Sequence, residues 1–245
     1  MTADFFKAKF GYEIEGVWFP RVTSITSPFQ KKWQGLRSAA EWGTLIHETV
    51  ESILRGEEAQ PDRRCEVSIA TFLSWRNQYP IAIQNPAHDI EKRVFDVEHG
   101  YAGTIDMVAE VEGVVGIIDL KTSTAIYKEH SLQTAAYLQA YNKTKGIAKA
   151  CQTRWILRLD EYAECLGCLA KKRNKYGRAR AVGGKDACNH QWSELKGEVE
   201  FKELADYEKD FDAFLDLKER WEWANKEWLD QIPNYEKNIR QYTLL

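Results

Sequence analysis

Two rhythms of apolar and polar residues organise this chain of 245 residues. From about Ala39 to Leu54, "AAEWGTLIHETVESIL", the positions Leu45, Ile46, Thr49, Val50, Ile53 and Leu54 recur at three- and four-residue spacings, which predicts a helix with one buried face. Gly56 is its expected stop. A second helix is predicted over 66–79, ending before Pro80, and a third over about 129–143, "EHSLQTAAYLQAYNK". The two-residue rhythm marks strands at 90–98, in a hairpin over 101–121, and at 151–160, where Trp155, Leu157 and Leu159 alternate with Arg154, Ile156 and Arg158. Residues 13–26 read as a short hairpin or an extended lead-in. Residues 161–192 have no rhythm and are glycine-bearing and basic. Residues 203–231 read as one long aromatic helix, with Trp221, Trp223 and Trp228 packed on the sheet. The order is a helix early, a sheet in the middle and helices late. It predicts a single mixed α/β (α+β) domain over 1–245, with 161–192 as an insertion and 203–231 as a C-terminal helix on the core.

The hairpin contains three charges where an apolar core is expected: Asp106, Asp119 and Lys121. Side chains alternate faces along a strand, so Asp119 and Lys121 point the same way. With Glu112-Gly113 as a two-residue turn, Val111 pairs with Val114, and counting outward sets Asp106 opposite Asp119. Two facing carboxylates repel unless a cation lies between them. Mg²⁺ and Mn²⁺ suit such oxygen ligands, with substrate phosphate filling the remaining positions. A lysine alongside can orient or help deprotonate an attacking water. An isolated D-x-K is more often a surface ion pair, so the weight falls on its companions. His47 lies on the first helix with Glu51 one turn further, and Gln133, Tyr137 and Tyr141 form a polar and aromatic stripe.

Composition narrows the class. The chain is 44% hydrophobic and 29% charged, as expected of a folded domain rather than a disordered one. The longest apolar run, "GVVGIIDL", is far short of the roughly 18–20 residues a membrane span needs. "MTADFFKAKFGYEIEG" lacks the features of a signal peptide, so a cytoplasmic protein is expected. The net charge of −3 hides an asymmetry, because residues 171–185 carry seven positive charges and no negative one. Lys171, Lys172, Arg173, Lys175, Arg178, Arg180 and Lys185 would track phosphates without reading sequence, and Tyr176 could stack on an unpaired base. A solvated basic loop is the plainer alternative. Beside this run, "CLGC" is separated by nineteen residues from "CNH". Cys165, Cys168, Cys188 and His190 make a Cys₃His set suited to structural Zn²⁺, which would order a loop too polar to build its own core.

Taken in order, the motifs resemble the RecB-like branch of the PD-(D/E)xK nuclease superfamily, whose pattern is G-x-x-x-H, G-x-x-D, D/E-x-K and Q-x-x-x-Y. Here the pattern is Gly43…His47, Gly103…Asp106, Asp119-Leu120-Lys121 and Gln133…Tyr137. The phrases "FPRVTSIT", "YAGTIDMV" and "IIDLKTS" are similar to single-domain exonucleases of phages and of mitochondrial genome maintenance. The resemblance covers about residues 18–160. It implies a restriction-endonuclease-like core, a central mixed sheet flanked by helices. It also implies that His47, Asp106 and Asp119 hold Mg²⁺ or Mn²⁺, helped by the Ile118 or Leu120 carbonyl. Lys121 would position or activate water and steady the scissile phosphate, and Gln133 and Tyr137 would line the site or contact the DNA backbone. Glu91 matches a carboxylate of some members.

The activity implied is that of a metal-dependent DNA exonuclease in recombination, repair or phage replication. The partners to expect are DNA together with a helicase, recombinase or replication protein. A CRISPR-adaptation-type nuclease shares the motifs but would bring an iron–sulfur cluster, for which His190 is an unsuitable fourth ligand. A non-catalytic zinc and nucleic-acid module is the remaining alternative, and the intact D-x-K speaks against it.

Overall fold

The computed structural model describes residues 1–27, 36–145, 150–175 and 177–238. The chain opens with α1 (Ala3–Phe10), capped by the Thr2 hydroxyl accepting from the Phe5 N–H. A tight hairpin, β1 (Gly11–Ile14) and β2 (Val17–Pro20), leads into the short α2 (Val22–Thr26), so the lead-in is a hairpin followed by a helical turn. α3 (Leu36–Arg55) and α4 (Glu66–Gln78) follow as predicted. α3 ends at Gly56 with φ +75, and the Glu57 N–H reaches back to the Ser52 carbonyl, the C-terminal closure that glycine permits.

The central sheet is mixed. After β3 (Ile81–Ala82) and the one-turn α5 (Pro86–Asp89) come β4 (Ile90–Asp96), β5 (Tyr101–Val111) and β6 (Val114–Lys121). β5 pairs antiparallel with β3 and β4 on one edge and with β6 on the other. α6 (Lys128–Lys145) then crosses over to β7 (Thr153–Cys165), which lies parallel to β6. The Glu112-Gly113 turn is as predicted: both residues have positive φ (53 and 83), and Val111 pairs with Val114.

The sheet is buried on both faces. On one, α3 and α4 cover Met107, Ala109, Val111, Ile118, Leu120, Trp155, Leu157 and Leu159. On the other, α1, α2, α6 and the C-terminal helices cover Tyr101, Ile105, Val108 and Ile117. This is the expected architecture, a mixed sheet between helical layers. Among the described residues no helix is long and apolar enough to cross a membrane.

Beyond residue 160 the structure departs from expectation. Residues 161–192 are not irregular throughout. β7 runs on to Cys165, β8 (Lys171–Arg173) pairs with its end, and β9 (Arg180–Val182) pairs with β8. β10 (Trp192–Glu203) returns antiparallel along most of β7. The insertion is therefore a β-finger that continues the central sheet. Nor is 203–231 one helix: α7 (Tyr207–Ala224) stops at Asn225, whose side chain donates to the Trp221 carbonyl, and α8 (Lys226–Leu229) follows. Trp221 is buried, whereas Trp223 is 82% exposed and does not pack on the sheet.

Candidate active site and the cysteine cluster

The residues singled out around the hairpin converge at one end of the sheet, and the packing explains each motif glycine. Gly43 sits where α3 crosses the chain just beyond β6; a Cβ there would come within 3.0 Å of Thr122 Oγ1. His47, one turn along, is thereby brought to the strand ends, with Nδ1 3.6 Å from Asp106 Oδ1. Gly103 lies beneath the Tyr137 ring, where a Cβ would fall 2.2 Å from ring carbon Cε1. Its absence lets α6 approach closely enough for Gln133 to reach Asp119. Gln133 Nε2 donates to Asp119 Oδ1 at 3.1 Å and to the Tyr137 hydroxyl at 3.0 Å.

The β5–β6 ladder ends at Met107–Ile118, and the next position in that register is Asp106 opposite Asp119. There the strands splay, and the Leu120 N–H is taken up by Asp106 Oδ2 at 2.6 Å instead of by a carbonyl. On the other side of Asp106 the register brings up Glu91, at φ +51. Both strands switch faces at this level. Val94 and Ile105 belong to the α6 layer, Ile90 and Met107 to the α3 layer, although the register is unchanged across the kink. A non-glycine residue held at positive φ costs about 1–2 kcal/mol, and such strain gathers where geometry serves a site.

The electrostatics show a site short of positive charge. Burial, then the neighbouring Asp106 and Glu51 carboxylates, push Glu91 up to about 7. Burial raises Asp119 to about 6 against the pull of Lys121, with Asp106 adding repulsion. Burial also opposes the charge of Asp106, but His47, Lys121 and the Leu120 N–H outweigh it and hold that carboxyl below its usual range. Burial works against a charged His47 as well, and Asp106 outweighs it, so the imidazole is raised. The buried Asp119 Oδ2 is met by the Lys121 ammonium at 2.5 Å, as an ion pair.

Ligand atoms of His47, Glu91 and Asp106 lie within 4.8 Å of one another, a set that could hold a metal ion. Oxygen and imidazole donors and raised carboxyls together fit a hard divalent cation. Glu91, a lesser candidate from sequence, belongs to this set, whereas Asp119, expected to share the metal with His47 and Asp106, does not.

A family model for the PD-(D/E)XK nuclease superfamily matches residues 30–236. The chain belongs to the PD-(D/E)XK nuclease superfamily. No curated protein matches it at a significant level. The superfamily match takes in both the hairpin site and the finger beyond it. PD-(D/E)XK nucleases generally use divalent metals, and the donor set described here suits one.

The second cluster lies in the finger. Cys165 Sγ is 3.8 Å from Cys188 Sγ, Cys168 Sγ is 3.3 Å from His190 Nδ1, and all four ligand atoms lie within 4.8 Å of one another. Four ligands about 2.3 Å from one ion would stand about 3.8 Å apart at the corners of a tetrahedron. The group could hold zinc.

The basic run is not one surface. Arg173 and Lys175 turn inward, each 2.8 Å from the buried Asp160 carboxylate, so these two are taken out of the set expected to face DNA. Lys171 is tied to Glu198, and Lys172 lies over the Trp192 ring. Arg178, Arg180 and Lys185 are exposed, and Tyr176 lies outside the described residues. Sequence reasoning passed over Asp160, Thr122 and Trp42 beside the site. Only packing reveals them, because their partner Lys175 is distant in the chain.

Proposed function

We propose that this protein is a Mg²⁺- or Mn²⁺-dependent deoxyribonuclease of the RecB-like kind that degrades DNA from ends or single strands. The observation that carries the reading is the convergence of His47, Glu91, Asp106, Asp119 and Lys121 at the splayed end of the β5–β6 hairpin, in the family's motif order. His47, Glu91, Asp106 and Asp119 would hold the cation, which supplies Lewis-acid stabilisation of charge on a phosphodiester and lowers the pKa of water beside it.

The remaining steps belong to the chain's own side chains. Gln133 fixes Asp119 through Oδ1 and leaves Oδ2 turned into the site. Lys121 lies beside that oxygen, where it orients the attacking water and offsets charge on the phosphate. Tyr137 packs α6 against Gly103 and accepts from Gln133, which holds Gln133 toward Asp119. Water adds across the P–O bond, leaving a phosphate on one fragment and a hydroxyl on the other.

Exonucleolytic action is supported by the motif set, with its G-x-x-x-H helix and Q-x-x-x-Y helix on opposite sides of the hairpin. Roles in recombination, repair or phage replication, with a helicase or recombinase as partner, rest on the same likeness. Exposed Arg178, Arg180 and Lys185 would guide the phosphate backbone.

The test is digestion of end-labelled linear DNA, single- and double-stranded, beside closed circular DNA, with Mg²⁺, Mn²⁺ or EDTA. Metal-dependent loss of label with circular DNA intact is expected, and cutting of the circle would overturn the exonuclease reading.

A further inference from the structure

We propose that Cys165, Cys168, Cys188 and His190 hold one structural Zn²⁺, and that this clip presses the finger against the active-site layer, where Lys175 braces the chain just beyond Lys121. The zinc site stands independently of the nuclease reading. What the brace does for catalysis rests on it.

The ligand chemistry is that of a closed site. Three sulfurs and one imidazole complete a tetrahedron and leave no position for water or substrate, as in zinc sites that serve folding. The Cys165 and Cys188 sulfurs, 3.8 Å apart, are too far for a disulfide, whose S–S length is about 2.05 Å, and all three cysteines are free thiols. The backbone wraps tightly over them. Gly184, at φ +83, leaves room for Cys168, since a Cβ there would lie 2.6 Å from its Sγ; a Cβ on Gly167 would lie 3.6 Å from Cys188 Sγ.

Apolar burial does not hold this part of the finger. Leu166, Leu169 and Val182 are exposed, and β9 is exposed along its length. A metal is the cross-link that accounts for an ordered finger end without a core.

From Cys168 the chain passes through β8 and dives inward. Arg173 and Lys175 both reach Asp160 on β7, and Lys175 Nζ also donates to the Thr122 carbonyl at 2.6 Å. The same ammonium lies 5.1 Å from the Trp42 ring centre on α3, and Gly177 packs on Ser38 so closely that a Cβ would fall 2.7 Å from Ser38 Oγ. Thr122 is held between this lysine and Gly43 of α3, one residue beyond Lys121. A buried ammonium stays in place only while its partners are fixed; released, it and Asp160 regain water. Zinc fixes the finger, the finger fixes Lys175, and Lys175 fixes the end of β6. Lys175 is therefore a positioning residue.

Elemental analysis of the full chain, purified without chelator under reducing conditions, should find one zinc per molecule, and none in the Cys168→Ser/His190→Ala variant. Co²⁺ exchanged into the parent should give the visible spectrum of a tetrahedral thiolate site. Lys175→Met should keep its zinc, lower kcat about tenfold with KM for DNA unchanged, and speed amide exchange at residues 121–123; the ligand variant should show the same loss of protection. A folded chain that carries no zinc and takes up no Co²⁺, or that carries iron, overturns the clip. Zinc retained in Lys175→Met with parental exchange at 121–123 overturns the brace. A chain that holds zinc but cleaves no DNA contradicts the nuclease reading alone, and amide exchange then decides the brace.

Discussion

The end of the β5–β6 hairpin and the tip of the finger both gather side chains that bind metals, under opposite physical conditions. At the hairpin, Glu91, Asp106 and Asp119 crowd together on kinked backbone, two of them with raised pKa values. At the finger, sulfur and imidazole stand at near-tetrahedral spacing, on turns where Leu169, Gly183 and Gly184 take positive φ. The first arrangement is crowded with carboxylates and short of positive charge, as suits a site that must engage a cation and a phosphate. The second is saturated and leaves nothing open. Ligand chemistry, more than the number of ligands, separates a working site from a structural one.

Four changes probe this contrast, from the largest expected effect downward. Lys121→Ala should slow DNA cleavage by about 10²–10⁴-fold while the finger keeps its zinc; kinetics and metal content on one sample check both. Gly103→Ala should force a Cβ into the Tyr137 ring and cost about 1–3 kcal/mol by overpacking, seen in urea unfolding, with Gln133 drawn away from Asp119.

His130 on α6 tests the charge balance. Burial, then the nearby Lys121, lowers its pKa to about 3, and its Nδ1 accepts the Tyr127 N–H. The unfolded chain takes up a proton near pH 6.5 and the folded chain does not. The stability this histidine supports is thus full above pH 6.5 and falls as pH drops toward 3. Measured against His130→Gln, the parent should lose about 2 kcal/mol between pH 7 and pH 5. Smallest, Glu91→Gly should raise metal-free stability by about 1 kcal/mol through relief of the positive φ, and weaken activity at the same time. A glycine variant no more stable than the parent would mean the kink carries no strain.

Much of this was legible in the sequence, for identifiable reasons. α3, α6 and the hairpin announce themselves because each buries a regular face, and Glu112-Gly113 specifies its turn through φ. The motif glycines were readable as a pattern; what they do, making room for Tyr137 and Thr122, needed the packing. Residues 161–192 were misread as irregular because β8 and β9 are only three residues each, basic or exposed, and carry no apolar alternation. Arg173 and Lys175 looked like part of a basic surface because a charge run says nothing about Asp160 waiting beneath it. The face switch at Glu91 and Asp106 leaves no mark in hydropathy, since both residues are polar in either geometry. α7 was recognised but its end was not, because Asn225 stops the helix through a side-chain cap rather than a proline.

The central claim is that the hairpin cluster is a hard-metal site distinct from the finger. It is tested most directly by titrating Mn²⁺ into the zinc-loaded chain, followed by electron paramagnetic resonance, beside Asp106→Asn and Cys168→Ser. The account predicts that Mn²⁺ binds the parent and Cys168→Ser but not Asp106→Asn, which keeps its zinc. Unchanged Mn²⁺ binding in Asp106→Asn would contradict it.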